Sequence, residues 1–287
     1  MITGELIQSL CDVYCGIEAD FSIYNRERGT KNVYLDQIVG EWNNPRLLYC
    51  YGDRISLFIE KSKFIQNPFV LITHNSDVNM TEAYAGLLAH PKLLFWHAQN
   101  VLYRHPKLGG LPIGMANRTW PHGNLAIMDE VRSRSIQKAK GVYFFFAIRT
   151  NPRERQPCYE ALVKKGLIFG TQQDFRSYLE TMASHKYAIC PPGNGVDCHR
   201  LWECYYLGVV PIVKRSVFTE KVASIFPCIL VDDWNELNVP ELLATYEGFP
   251  YSNKWDLDYV RQCIANHVDY FDLFASTRKR HYACSKS

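Results

Sequence analysis

The sequence lacks any run of apolar residues long enough to cross a membrane. A spanning helix needs about 20 such residues, whereas the longest apolar stretch here, residues 142–148, has only the length of a buried strand. The first residues, from Met1 to Glu5, have neither the basic segment nor the apolar core of a signal peptide. We therefore expect a soluble protein without a membrane span, located in the cytoplasm, or in the host cytoplasm if the source is a virus.

Charge of one sign is also scarce. The net charge is only +3 over 287 residues, and the one dense basic run lies at residues 278–281. Proteins that bind nucleic acid usually concentrate lysine and arginine on one face. We therefore expect no nucleic-acid partner, and we interpret the basic run as a solvated tail.

Metal-binding patterns are missing as well. None of the ten cysteines belongs to a CxxC pair, and several lie in apolar runs, which is typical of free thiols in a reducing compartment. Cys11 and Cys15 are four residues apart but have no matching partners. Asp256 and Asp258 resemble a DxD metal motif, yet their place at a predicted helix start favours a cap. The sequence predicts no metal and no cofactor.

Predicted strands and helices alternate along the whole chain. This alternation predicts parallel sheets joined by right-handed crossovers, and therefore an α/β fold. The predicted strands cover residues 46–51, 68–73, 93–97, 111–114, 141–147, 167–169, 187–190, 209–213 and 228–231. The predicted helices cover residues 1–16, 128–140, 154–165, 175–184 and 198–207, with further helices starting near 219, 240 and 256.

The loop after the strand at 187–190 is the clearest candidate site, because ligands of open parallel sheets bind beyond the carboxyl ends of strands. Its Pro-Pro-Gly-Asn-Gly sequence (191–195) is followed at once by a helix, whose N-terminus attracts phosphate. The predicted nucleotide-binding residues here are Pro192, Gly193, Asn194, His199, Arg200 and Glu203. A plain glycine turn with a surface Arg–Glu pair is the alternative, and the residues alone do not decide between the two.

A second candidate follows the strand at 141–147. Several cationic and polar side chains lie just past this strand, where a helix begins, and such a cluster favours anion binding. The alternative is a solvated helix start. The residues that we predict to contact a nucleotide are Arg149, Thr150, Asn151 and Arg155.

The N-terminal half offers candidates for general-base catalysis and for binding an acceptor. His74 and Asp77 directly follow a predicted strand, and we prefer Asp77 because a carboxylate is already deprotonated at neutral pH; an Asx-type turn or helix cap is the alternative. Aromatic rings mixed with amides suit hydroxyl-rich ligands. The predicted acceptor-binding residues are His97, Asn100, Asn117, Trp120 and His122, with His97 and His122 as reserve bases.

The C-terminal half resembles the exostosin-like glycosyltransferases, a family 47-like group. The similarity lies in SHKYAICPPG at residues 184–193, HRLWEC at 199–204 and LGVVPIV at 207–213. Arg149, Thr150, Asn151 and Arg155 resemble the arginine-bearing segment of the same family. The resemblance covers about residues 142–235, and the N-terminal half is similar to soluble members from microbes and large DNA viruses.

The resemblance implies a GT-B fold, in which two Rossmann-like domains face each other across a cleft. The expected domains are an acceptor-binding domain at 1–125 and a nucleotide-sugar-binding domain at 126–255, with C-terminal helices at 256–287 packing back on the first domain. The implied reaction is inverting and metal-independent.

The same resemblance assigns the diphosphate to Arg200 and Arg149, and the ribose to Glu203. The implied donor is a UDP-sugar, with UDP-xylose as the first candidate, and the acceptor is a hydroxyl of an oligosaccharide or glycoprotein. Larger family members carry a membrane anchor, and we expect none in this chain. The family has no universal base motif, so the prediction of Asp77 rests on its position alone.

Two other classes of function stay open. A non-catalytic carbohydrate-binding protein would keep the cleft without turnover, and the Arg200/Glu203 pair speaks against it. A hydrolase would need two opposed carboxylates at hydrolytic spacing, which a sequence does not display.

Overall fold

A computed structural model of the chain describes residues 1–24, 31–249 and 257–272. The predictions for Asp256 and for the basic run at 278–281 lie outside these residues. The described chain divides into two compact units. The N-terminal unit contains residues 2–24, 31–113 and 257–272, and the C-terminal unit contains residues 114–249 together with Met1.

The N-terminal unit is built on a six-stranded, fully parallel sheet. Its strands are β1 (Val13–Gly16), β2 (Lys31–Tyr34), β3 (Leu47–Tyr51), β4 (Phe69–His74), β5 (Leu93–Ala98) and β6 (Leu108–Gly110). Its first helices are α1 (Gly4–Gln8), α2 (Glu18–Tyr24), α3 (Ile55–Ser62) and α4 (Ala85–Leu88). The strand order β2-β1-β3-β4-β5-β6 is that of doubly wound sheets.

The C-terminal unit contains a second parallel sheet, of four strands in the order β10-β9-β8-β7. These strands are β7 (Lys140–Tyr143), β8 (His185–Ile189), β9 (Val210–Lys214) and β10 (Ile229–Val231). The helices are α5 (Leu125–Ser133), α6 (Pro152–Lys164), α7 (Phe175–Ala183), α8 (His199–Leu207), α9 (Val217–Ala223) and α10 (Val239–Ala244). Helix α11 (Leu257–Asn266) follows in the chain and belongs to the N-terminal unit.

The two parallel sheets confirm the α/β class. Strand β4 is buried along its whole length, as expected of a parallel strand covered on both faces. One face, which includes Leu71, joins a core that also contains Leu48 and Trp96. Beyond α11, the Asp269 carboxylate accepts a hydrogen bond from the Gly110 backbone nitrogen at 2.9 Å, which ties this segment to the edge strand β6.

Residues 167–170 lie beside the end of β7 at the edge of the sheet but form no regular strand. The backbone nitrogen of Gly170 donates to the carbonyl oxygen of Phe144 at 2.8 Å, and the Phe169 ring packs against Phe144 with centroids 4.9 Å apart. The predicted strand at 167–169 is therefore wrong as a strand, although its apolar residues do join the core. The chain passes from β7 to this edge and then returns to β8, so the direction of winding reverses between β7 and β8. Ligands of α/β sheets bind at such reversal points.

Several predicted elements have different bounds. The helix predicted at 1–16 is wrong beyond Gln8, because Val13–Gly16 forms a central strand that pairs with both β2 and β3. The strand predicted at 111–114 lies instead at Leu108–Gly110, where a Cβ on Gly109 would lie 2.9 Å from the Phe95 ring. Helix α8 does end at Gly208, whose φ of 65° is left-handed, as a glycine cap requires.

No helix among residues 1–24, 31–249 and 257–272 is long and apolar enough to cross a bilayer. The nine cysteines at described positions are all free thiols.

Candidate functional site

The loop between β8 and α8 leads into a helix N-terminus without a side-chain cap. The Cys190 backbone nitrogen extends the sheet by donating to the Ile212 carbonyl at 2.8 Å, and the chain then enters the Pro-Pro-Gly-Asn-Gly loop. Cys198 occupies the N-cap position of α8 and makes no capping hydrogen bond through its side chain. The first turn of α8 carries the positive end of the helix dipole, as in any α-helix, and a bound anion would be stabilised there.

Arg200 lies in this first turn with its guanidinium against two aromatic rings. The guanidinium carbon is 5.9 Å from the centroid of the Tyr143 ring and 5.5 Å from that of Tyr178. Its Nε donates a hydrogen bond to the Tyr178 hydroxyl at 3.1 Å. Nη1 and Nη2 make no hydrogen bond or ion pair with the described part of the chain. The aromatic contacts hold the side chain in place, while the two terminal nitrogens keep their capacity to bind oxyanions.

The charge of Arg200 is secure. Burial lowers the pKa of the guanidinium. The neighbouring Tyr178, Cys190 and Tyr143 raise this pKa by a larger amount, so that the net shift is upward. A fixed cation near an uncapped helix N-terminus is the arrangement that binds a phosphate or diphosphate.

Glu203 lies one turn further along α8, inside the unit. It is only 3% exposed, and its Oε2 accepts a hydrogen bond from the Tyr178 hydroxyl. Burial raises the pKa of Glu203, while the Tyr178 hydrogen bond and the Arg200 charge partly offset that rise. The carboxylate that was expected to bind ribose thus has a protein partner.

Tyr178 is a residue that the sequence did not single out. It lies on α7, a helix predicted correctly at about 175–184, but no motif or spacing links it to α8. The packing of α7 on α8 brings the Tyr178 hydroxyl between Arg200 and Glu203, and only the folded structure shows this contact.

The turn after β7 and the loop after β8 are fastened together. Asn151 caps α6 by accepting a hydrogen bond from the Glu154 backbone nitrogen at 3.3 Å, and its Nδ2 donates to the Gly193 carbonyl at 2.7 Å. Arg155 donates through Nε to the Pro192 carbonyl and through Nη1 to the Ala147 carbonyl, both at 2.9 Å. Because two of its donors are used in this way, Arg155 holds the loops in place.

Arg149 differs from Arg155 although both were predicted to contact the nucleotide. It lies with Thr150 in the short turn Ile148–Thr150, is exposed, and makes no hydrogen bond or ion pair with any described residue. Asn194 is exposed on the facing loop. The structure therefore brings the two predicted phosphate-binding segments together through Asn151, Arg155 and the loop carbonyls.

The segment from Gly114 to Asn124 belongs with α8. The Nδ1 of His199 is 2.8 Å from the Gly114 carbonyl oxygen, and the His122 ring lies 6.0 Å from that of His199. Trp120 stacks on His122 at 6.4 Å and is half exposed. Three residues expected in the acceptor domain are thus part of the C-terminal unit, since the units divide after Ile113 and not at residue 125; these are Asn117, Trp120 and His122.

The turn after β4 holds the two predicted catalytic residues in different environments. His74 is buried at 1% exposure, with Nε2 3.1 Å from the Pro112 carbonyl oxygen, so Nε2 carries a proton in that contact. Asp77 is exposed. Ser76 organises the turn by accepting from the Val78 backbone nitrogen at 3.0 Å and donating to Asp53 at 3.1 Å.

His97 and Asn100 lie inside the N-terminal unit. His97 is fully buried near the end of β5 beside the Phe95 ring, and neither ring nitrogen has a hydrogen-bond partner among the described residues. Burial, with a smaller contribution from His267, lowers the pKa of His97 to about 3. Asn100 is buried in a left-handed conformation (φ 56°), with Nδ2 donating to the Ser76 carbonyl at 3.1 Å. Both side chains are therefore buried in the interior of the N-terminal unit.

The DxD motif at Asp256 and Asp258 was the alternative metal site, and only Asp258 lies among the described residues. Asp258 pairs with Arg261 at 2.6 Å in the first turn of α11. No group of three or more His, Cys, Asp or Glu side chains within residues 1–24, 31–249 and 257–272 is placed to hold a metal ion.

Comparison with known proteins gives no family assignment: no protein-family model matches the chain, and no curated protein sequence matches it.

Proposed function

We propose that the protein is a glycosyltransferase whose C-terminal unit binds the diphosphate of a sugar nucleotide. The observation that carries this proposal is the guanidinium of Arg200, which two aromatic rings hold beside an uncapped helix N-terminus. Its Nη1 and Nη2 have no partner among the described residues, so two diphosphate oxygens can bind without displacing a protein contact.

The neighbouring residues support the same ligand. Arg149 supplies a second cation from the turn after β7, and Asn151 and Arg155 hold that turn against Gly193 and Pro192. Two arginines and helix N–H groups can neutralise a leaving diphosphate without a metal ion. We therefore propose a metal-independent reaction, whose rate should persist when the assay contains EDTA.

The proposed reaction transfers a sugar from a UDP-sugar, with UDP-xylose as the first donor to test, to a glycan hydroxyl. The acceptor oxygen forms a bond to the anomeric carbon as the bond to the diphosphate breaks, and the acceptor proton passes to a base. Attack opposite the leaving group inverts the anomeric configuration. Asp77 is the proposed base because it is exposed, whereas the buried His74 and His97 are not. A GT-B division of labour between the units is part of this proposal.

A thermal-shift panel of UDP-, GDP- and dTDP-sugars tests the proposal. A ligand at 100 times its Kd adds about 2.7 kcal/mol to the free energy of unfolding. We expect UDP-sugars to raise the melting temperature more than the others do. If no nucleotide sugar changes the melting temperature, the proposed function is wrong.

A non-catalytic carbohydrate-binding protein is the second candidate, and the half-exposed indole of Trp120 favours it. A protein of this class would bind glycans through Trp120 and would bind neither UDP nor a UDP-sugar.

A further inference from the structure

The hydroxyl of Tyr178 connects the two polar side chains of α8. It donates a hydrogen bond to the Glu203 carboxylate and accepts one from Arg200 Nε at 3.1 Å. Because a hydroxyl has a single proton, donation to Glu203 leaves only its lone pairs for Arg200. The direction of both hydrogen bonds is therefore fixed.

Burial keeps the Tyr178 hydroxyl in one protonation state. Burial raises the pKa of the Tyr178 hydroxyl well above its ordinary value, so the hydroxyl keeps its proton at neutral pH. Glu203 is 3% exposed, and a buried carboxylate that accepts a hydrogen bond has little access to a second, external donor.

We propose that Tyr178 is a positioning residue that holds Arg200 for the diphosphate, and that Glu203 acts on the ligand through Tyr178 and makes no contact with the ribose. Glu203 orients the hydroxyl, the hydroxyl binds Nε, and Nη1 and Nη2 are thereby presented together to the anion. The inference rests on the proposed binding of a nucleoside diphosphate, and it names the part of that ligand on which each residue acts.

Four forms of the protein test the inference: wild type, Tyr178→Phe, Glu203→Gln and the double variant. Each is titrated calorimetrically with UDP, with 2′,3′-dideoxyuridine 5′-diphosphate and with inorganic pyrophosphate. Tyr159→Phe is the matched control, because Tyr159 lies on α6 of the same unit and its hydroxyl forms no hydrogen bond with the described chain. Thermal unfolding without ligand identifies any variant that fails to fold. The double variant also removes the buried charge that Tyr178→Phe alone would leave unpaired.

We expect Tyr178→Phe to weaken binding of all three ligands by about tenfold, equivalent to about 1.4 kcal/mol. Glu203→Gln should weaken binding of UDP and the dideoxy analogue by the same factor, since the ribose hydroxyls are not its partners. The double variant should bind no more weakly than Tyr178→Phe, because both changes interrupt one chain of hydrogen bonds. A general loss of structure would not produce this pattern, and Tyr159→Phe should bind like the wild type.

Two results would overturn the inference. If Glu203→Gln weakens UDP binding but not binding of the dideoxy analogue, Glu203 contacts the ribose. If Tyr178→Phe binds UDP as tightly as Tyr159→Phe does, the hydroxyl does not position Arg200. Failure of the proposed function looks different: wild type would not bind UDP, and the pyrophosphate titrations would then decide the role of Tyr178. Wild type that binds none of the three ligands would overturn both proposals.

Discussion

Arg155 donates a hydrogen bond from Nε to the carbonyl oxygen of Pro192 at 2.9 Å, across 37 residues of sequence. Its Nη1 bonds the Ala147 carbonyl at the same distance, and its guanidinium lies 5.7 Å from the centroid of the Phe146 ring. One side chain thereby joins the loops that follow β7 and β8, the two strands between which the winding of the sheet reverses.

Replacing Arg155 should weaken nucleotide binding because the loops after β7 and β8 lose the hydrogen bonds that join them. Arg155→Met keeps much of the apolar stem but loses both hydrogen bonds, each of which is charge-assisted and contributes about 1.5–3 kcal/mol. We expect a lower melting temperature and UDP binding weakened by about tenfold. Arg153→Met is the matched control, since Arg153 is exposed and makes no hydrogen bond or ion pair with a described residue. Equal losses in the two variants would show that only the charge matters.

Gly123 fixes the shape of the segment that carries Trp120. A Cβ at this position would lie 1.9 Å from the backbone carbonyl oxygen of Asn117, so the backbone would have to move. We expect Gly123→Ala to lower the free energy of unfolding by about 1–3 kcal/mol. Gly86→Ala, in helix α4 with open space around its Cβ, should be neutral or slightly stabilising. Thermal unfolding measures both, and similar melting temperatures for the two variants would contradict the close approach at Gly123.

His97 should make the fold less stable in acid. Its pKa in the folded protein is about 3, below the value of about 6.5 in an unfolded chain. Between these values the unfolded state binds more protons, so this residue lowers the free energy of unfolding by about 1.4 kcal/mol for each pH unit of acidification from 6.5 towards 3. In His97→Phe this contribution should vanish. Urea unfolding at several pH values gives the comparison, and parallel curves for variant and wild type would show that His97 does not carry the effect.

Asp77 is the residue on which the proposed chemistry of the acceptor depends. Asp77→Asn removes the proposed base but leaves the residues of the C-terminal unit unchanged. We expect kcat for sugar transfer to fall by about 10²–10⁴-fold while the affinity for UDP stays the same. A variant with near-normal turnover would remove Asp77 from the mechanism and direct attention to His122, which is exposed.

The sequence predicted an element correctly where its local residue pattern and its packing in the fold favour the same secondary structure. Strand β4 begins with four apolar residues, Phe69 to Ile72, and it is buried along its whole length. Helix α8 ends at Leu207, and the left-handed Gly208 that follows caps it as predicted. The strand at Val13–Gly16 was missed since its apolar residues also fit a helical spacing, and only pairing with β2 and β3 decides between the two.

The candidate site was predictable as two segments but not as a network. The loop at 191–195 and the arginines at 149 and 155 follow strands, so topology alone places them at one edge of the sheet. The sequence does not show that Arg155 binds loop carbonyls while Arg149 makes no hydrogen bond or ion pair with described residues. Nor does it show Tyr178, because the packing of α7 on α8 is what brings its hydroxyl to Arg200.

Calorimetric titration of wild type and Arg200→Ala with UDP tests the central claim most directly. The claim is that the guanidinium held by Tyr143 and Tyr178 binds the diphosphate. We expect the wild type to bind UDP, and Arg200→Ala to lose about 1.5–3 kcal/mol of binding free energy, or roughly 10–150-fold in Kd, while its fold, followed by circular dichroism, is unchanged. A folded Arg200→Ala protein that binds UDP with wild-type affinity would contradict the account.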